Sequence, residues 1–200
     1  GVINKNLSEM SLLELDIAIN NIVATPEFIA KNKTGNRMYS AGLARYRYFL
    51  LLNSDVDENL NEDKLIGNVS ATEKEVIVKS RVGQGSYRNK LLRKYNSKCI
   101  VTGITHPKLL VASHIKPWSV CSNEERIDES NGLLLSSNID KLFDCGLITF
   151  DDKGSMKVSK FIGTNNEQIL KIYNGLTVDL KATSQLLMYL EYHRDILFVK

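Results

Sequence analysis

From Ser8 to about Val23 apolar residues recur at helical spacing (Leu12, Leu15, Ile19, Ile22), and Ser8 or Ser11 is placed to cap the start. The pattern predicts an amphipathic helix. A second helix is expected to begin at Thr25-Pro26-Glu27, where proline suits the first turn, and a third to run from about Asn36 to Leu52 with Met38, Leu43, Tyr46 and Leu50 on one side. The stretch Asp55 to Asp63 then carries five acids and little apolar periodicity, which reads as a solvated connection. These features place a boundary near residue 70, between a helical segment (1–70) and a second region (71–200).

Beyond that boundary the elements shorten. Val76-Ile77-Val78, Cys99 to Thr102 and Leu109 to Ser113 are expected as strands, and Gln84 to Tyr95 as a basic helix. Asn131-Gly132 opens the apolar run Leu133-Leu134-Leu135, after which Ser136 to Phe143 returns to helical spacing. Leu147 to Phe150 and Met156 to Val158 flank Asp151-Asp152-Lys153-Gly154, the chemistry of a hairpin turn. Two further helices are expected, around Glu167 to Tyr173 and from Thr183 to about Phe198. The whole reads as an α+β fold without internal repeats.

Composition changes this picture little. With 43% hydrophobic and 24% charged residues in 200, the chain can bury a core. No apolar run is long enough to span a bilayer, and Gly1 to Glu9 lacks the features of a secretory signal, so a cytoplasmic protein without a membrane partner is expected. The chain begins on Gly rather than Met, and an upstream specificity domain is expected to be missing from it. Cys99, Cys121 and Cys145 are odd in number and widely spaced, which argues for reduced thiols rather than disulfides or a four-cysteine zinc knuckle. The net charge of +3 says little, but Lys79 to Lys98 holds seven Lys or Arg and no acid, a local basic patch.

The chemistry concentrates in three stretches: Ala112-Ser113-His114-Ile115-Lys116-Pro117-Trp118, Asn131-Gly132-Leu133-Leu134-Leu135, and Asp140-Lys141-Leu142-Phe143-Asp144. Together they resemble the HNH endonucleases, whose ββα-metal fold puts a His at the end of one strand, an Asn at the start of the next and a metal ligand on the following helix. Three flanking segments are similar to the branch found in bacterial restriction and defence nucleases: Gly83-Gln84-Gly85-Ser86-Tyr87-Arg88, Cys99-Ile100-Val101-Thr102-Gly103 and Tyr189-Leu190-Glu191-Tyr192-His193-Arg194. The resemblance covers roughly Val76 to Lys200. It implies that 71–200 is an HNH nuclease domain, with 1–70 a helical connector or dimerisation segment.

The resemblance implies His114 as the general base and Asn131 as the residue that holds the loop and orients the imidazole through a side-chain hydrogen bond. It departs from the commoner pattern at Ser113, where an acid is usual, and at Asp140, where a second His is usual. A carboxylate is a hard ligand, so Asp140 points to Mg²⁺ or Mn²⁺ rather than a softer ion. Asp144, four residues on, is either a second ligand on the same helix face or a partner for a neighbouring Arg or Lys. Arg88, Lys90, Arg93 and Lys94 are candidates for DNA phosphates, against the alternative of an ordinary solvated helix face. Trp118 could stack on a base or pack in the core, and His193 and Arg194 read as packing and surface residues.

The function expected is a metal-dependent endonuclease acting on double-stranded DNA, in restriction or anti-phage defence, with a homodimer suggested by the need to cut two strands. The alternatives are a DNA-binding module of the same fold that has lost catalysis, and a nickase or a nuclease of single strands or RNA.

Overall fold

In a computed structural model, which describes residues 6–53 and 85–200, the first three helices lie close to their expected places. Helix α1 (Leu12–Val23) starts on Ser11, whose hydroxyl accepts from the Glu14 amide while the Glu14 carboxylate accepts from the Ser11 amide. Such a reciprocal cap stabilises a helix start by about 1 kcal/mol. Helix α2 (Pro26–Thr34) is capped by Thr25, and α3 spans Met38–Asn53. The acidic connection, the boundary near residue 70 and the strand expected at Val76-Ile77-Val78 lie outside the described residues, as do Lys79 and Arg81.

A helix at residues 85–94, α4, buries Tyr87 and Leu91 against two antiparallel strands, β1 (Leu110–His114) and β2 (Gly132–Ser136). Their register pairs Ser113 with Leu133 and His114 with Gly132. Between them run a short helix α5 (Asn123–Ile127) and two single turns of 3₁₀ helix. Helix α6 (Ser137–Asp144) follows β2 directly, then the hairpin β3 (Ile148–Phe150) and β4 (Met156–Val158), and helices α7 (Thr164–Leu170) and α8 (Ser184–Tyr192). Leu133, Leu134, Leu135, Ile139, Phe143 and Phe150 have no exposed surface and form the centre of the core. The result is the expected α+β arrangement.

Three expectations need correction. Cys99 to Thr102 is a turn and not a strand: the Gly103 amide donates to the Cys99 carbonyl at 3.0 Å, and Gly103 takes a φ of +74° that reverses the chain. The Cys99 sulfur accepts the Thr102 and Ser136 amides at 3.3 and 3.1 Å, which ties this turn to the end of β2. The last helix does not run unbroken to Phe198, because after Tyr192 it widens into a π-turn, His193–Leu197. The helix expected at Glu167 to Tyr173 starts and stops three residues earlier, ending on Lys171 in the left-handed region.

The apolar sides of α1 and α3 are used within the chain. Leu15 and Ile19 pack with Ile196 and Leu197 of the π-turn, flanked by Leu43, Tyr46 and Leu50. Helix α1 also packs on the 3₁₀ turn Trp118–Val120, just after His114. No described helix is long and apolar enough to cross a membrane.

Candidate active site

β1 ends on His114, and two contacts fix its ring. The Nε2 atom lies 3.0 Å from the Arg126 carbonyl, and a carbonyl can only accept, so Nε2 carries the proton. The lone pair is thereby assigned to Nδ1, which has no hydrogen-bond partner among the described residues. Tyr87 stacks on the imidazole with centroids 4.3 Å apart and planes within 10°. The Tyr87 hydroxyl in turn donates to the Asn131 carbonyl at 2.9 Å and lies 3.3 Å from the Ser113 carbonyl. Burial pushes the His114 pKa below its usual 6.5, and the Arg126 charge adds to the shift, so the ring is neutral at pH 7.

Asn131 has no exposed surface. Its Oδ1 accepts the Lys116 amide at 2.9 Å, and its Nδ2 donates to the Glu125 carbonyl at 3.1 Å and to the Cys121 sulfur at 3.2 Å. The loop-holding role expected of Asn131 fits these contacts, whereas its side chain makes no hydrogen bond to His114. The imidazole is oriented instead by a carbonyl of the loop that Asn131 closes. Gly132 is required next to it: a Cβ there would meet the Tyr87 hydroxyl at 2.2 Å and Leu91 Cδ1 at 2.7 Å. Replacing Asn131 with alanine strands a buried amide and a carbonyl, so a loss of about 2–4 kcal/mol is expected in urea unfolding. A loss under about 1 kcal/mol would contradict this account of the loop.

His114, Asp140 and Asp144 line one cleft of about 360 Å³. Helix α6 brings both carboxylates there, with Asp140 half-buried and Asp144 exposed. Burial pushes the Asp140 pKa up, and the neighbouring Ser113 hydroxyl and Lys141 charge pull it down. The Ser113 hydroxyl, though it faces that carboxylate, completes no full hydrogen bond and is the one buried side-chain polar atom among the described residues in that state. A buried hydroxyl short of a partner beside a desolvated carboxylate suits a small hydrated cation. No group of three His, Cys, Asp or Glu able to hold a metal occurs among the described residues. Asp140 and Asp144 are two carboxylates at this cleft, hard oxygen donors that suit a divalent cation completed by water and phosphate.

On the basic helix, three of the four candidate bases also hold the backbone of neighbouring loops. Arg88 places both ends of its guanidinium on backbone carbonyls, Leu110 at 2.8 Å and Pro107 at 2.9 Å. Lys90 reaches the Ile127 carbonyl and Lys94 the Glu129 carbonyl, at 3.3 and 3.1 Å. Three of the four bases therefore pin the entry to β1 and the loop before β2, where unpaired carbonyls would otherwise need water. Arg93 alone is exposed without a hydrogen bond or ion pair among the described residues. Sequence reasoning also missed a bidentate Lys116–Glu125 pair at 2.8 Å, which closes the same loop, and a cation–π contact of Arg126 on Trp118 at 3.9 Å. His193 is buried as a packing residue: Nε2 donates to the Phe143 carbonyl at 3.0 Å, and Nδ1 accepts from the Thr149 hydroxyl at 2.9 Å.

Comparison with known proteins matches residues 99–151 to the family described as HNH endonuclease. No curated protein matches the chain. The matched segment contains the strand that ends on His114, the loop closed by Asn131 and the helix that carries Asp140, so over these residues the chain is similar to the HNH endonuclease family.

Proposed function

We propose that this chain hydrolyses phosphodiester bonds of double-stranded DNA with His114 as general base and a divalent ion, Mg²⁺ or Mn²⁺, held by Asp140 and Asp144. The carrying observation is the state of His114: protonated on Nε2 by its bond to the Arg126 carbonyl, neutral at pH 7, and with Nδ1 unengaged at a cleft that also holds two carboxylates. In this mechanism Nδ1 accepts a proton from the attacking water as its oxygen bonds to phosphorus, and the bond to the departing 3′ oxygen breaks. Tyr87 stacking and the Arg126 carbonyl hold the ring plane through the transfer, and the carbonyl stabilises the imidazolium that forms. Asn131 acts one step removed, by fixing the loop that supplies that carbonyl. The ion, when bound, supplies positive charge that stabilises the phosphate and the leaving oxygen.

A restriction or defence role belongs to this reading through the three flanking segments that resemble that branch of the family. A homodimer belongs to it because one site per chain cuts one strand at a time, and an upstream specificity domain because an HNH site does not itself select a sequence.

Asp140→Asn tests the assignment of the ion. The variant keeps the side-chain shape but loses the charge, so the Mg²⁺ concentration for half-maximal cleavage is expected to rise about tenfold or more. An unchanged metal dependence would remove Asp140 as a ligand. Comparison of supercoiled, linear, single-stranded and RNA substrates tests the substrate, with duplex DNA expected to be cut fastest.

A further inference from the structure

Arg47 and Asp16 sit in the N-terminal helices, outside the segment that matches the nuclease family, yet both line the same cleft as His114 and Asp140. Arg47 is 7% exposed and Asp16 8%. The guanidinium is locked: Nε and Nη2 donate to the two Asp16 carboxylate oxygens at 2.7 and 3.2 Å, and Nη1 donates to the Asp144 carbonyl at the end of α6 at 3.1 Å. A buried ion pair of this kind is a weak source of stability, because desolvation of both charges offsets their attraction. Its place in the wall of the cleft beside His114 and Asp140 points to use.

The use follows from what the cleft otherwise lacks. The bases that the sequence offered for phosphate hold backbone carbonyls at Arg88, Lys90 and Lys94, and none of the three lines this cleft. Among the described residues that line the cleft, Arg47 is the one Lys or Arg. A guanidinium has five N–H donors, and three of Arg47's are engaged, so one on each Nη remains. Two donors on a guanidinium already held by a carboxylate and a helix end suit a phosphodiester, and no ordering of the side chain is needed when the substrate arrives.

Building on the nuclease reading above, we propose that Arg47 is a catalytic residue of this site that contacts the scissile phosphate, with Asp16 as the residue that positions it. The N-terminal helices are then part of the active site, and residues 71–200 alone do not hold the whole of it.

The test is the double variant Asp16→Leu/Arg47→Met in the full chain, which removes both charges and leaves the net charge unchanged. Replacing a buried ion pair with apolar groups leaves stability near that of the wild type, so thermal unfolding serves as the check on folding. In EDTA, fluorescence anisotropy with a labelled duplex is expected to show affinity about tenfold weaker and a log-affinity against log-salt slope shallower by about one. In Mg²⁺, single-turnover cleavage at saturating DNA is expected to fall about a hundredfold. A folded double variant with wild-type affinity, salt slope and cleavage rate would overturn the assignment and leave the pair a structural pin. If the wild type does not cleave but the affinity and slope change as stated, the hydrolase reading fails while Arg47 stands as a phosphate contact. Should the double variant not fold, Arg47→Lys decides: it keeps the charge but not the fork, so the same losses are expected at smaller size, and wild-type values would overturn the proposal.

Discussion

Replacing His114 with alanine is expected to lower single-turnover DNA cleavage by about a thousandfold, within the range a positioned general base contributes. DNA affinity measured in EDTA is expected to stay within about twofold, because a neutral imidazole contributes no charge to phosphate binding. The fold should tolerate the change: the Arg126 carbonyl loses a donor in a half-buried position open to water, and Tyr87 keeps its own bond to the Asn131 carbonyl. Cleavage and binding should therefore separate. Full activity in the variant would remove His114 as the base, and loss of affinity to the same degree as rate would mean that the residue binds DNA rather than activating water.

Stability is expected to fall below pH 6.5, and among the described residues His193 is a principal reason. Its pKa is pushed down from 6.5 to about 3, first by complete burial and further by the charges of Arg47 and Arg194. The unfolded chain thus binds a proton near pH 6.5 that the folded chain refuses until about pH 3. Between those values the unfolded state holds more protons, so stability is full above pH 6.5 and falls as the pH drops. At one proton the slope is about 1.4 kcal/mol per pH unit, and the total by pH 3 is on the order of 4 kcal/mol. His114, also depressed, adds in the same direction, while the raised pKa values of Asp140 and Asp195 oppose it. Urea unfolding from pH 7.5 to 4 measures the slope, and His193→Gln is expected to flatten it by about one proton. The same slope in wild type and variant would show that His193 is not the group responsible.

The centre of the candidate site was legible in the sequence because its residues are local. His114, Asn131-Gly132 and Asp140 fall on a strand end, a turn and a helix within one short run of chain, and each element is dictated by its own apolar period: Leu110 facing in, Leu133 to Leu135 fully buried, Ile139 and Phe143 four apart. The charged residues were less legible, because composition gives a charge without its partner. Nothing in the sequence around Arg88 and the lysines of α4 announced the carbonyls of Pro107, Leu110, Ile127 and Glu129 that the fold brings to them. Arg47 lies 31 residues from Asp16 and 97 from Asp144 along the chain, a separation at which no spacing rule connects residues. The strand expected at Cys99 to Thr102 had β-branched residues in its favour, but Thr102-Gly103 turns the chain before a ladder can form.

Incubation of the purified chain with supercoiled plasmid in Mg²⁺, Mn²⁺ or EDTA, beside His114→Ala, tests the central claim most directly. Nicked or linear DNA is expected with either ion, none in EDTA and none with the variant in the same time. Cutting that persists in EDTA, or equally in the variant, would contradict it, and a chain that binds duplex DNA but cuts it under no ion would be a DNA-binding module built on the nuclease fold.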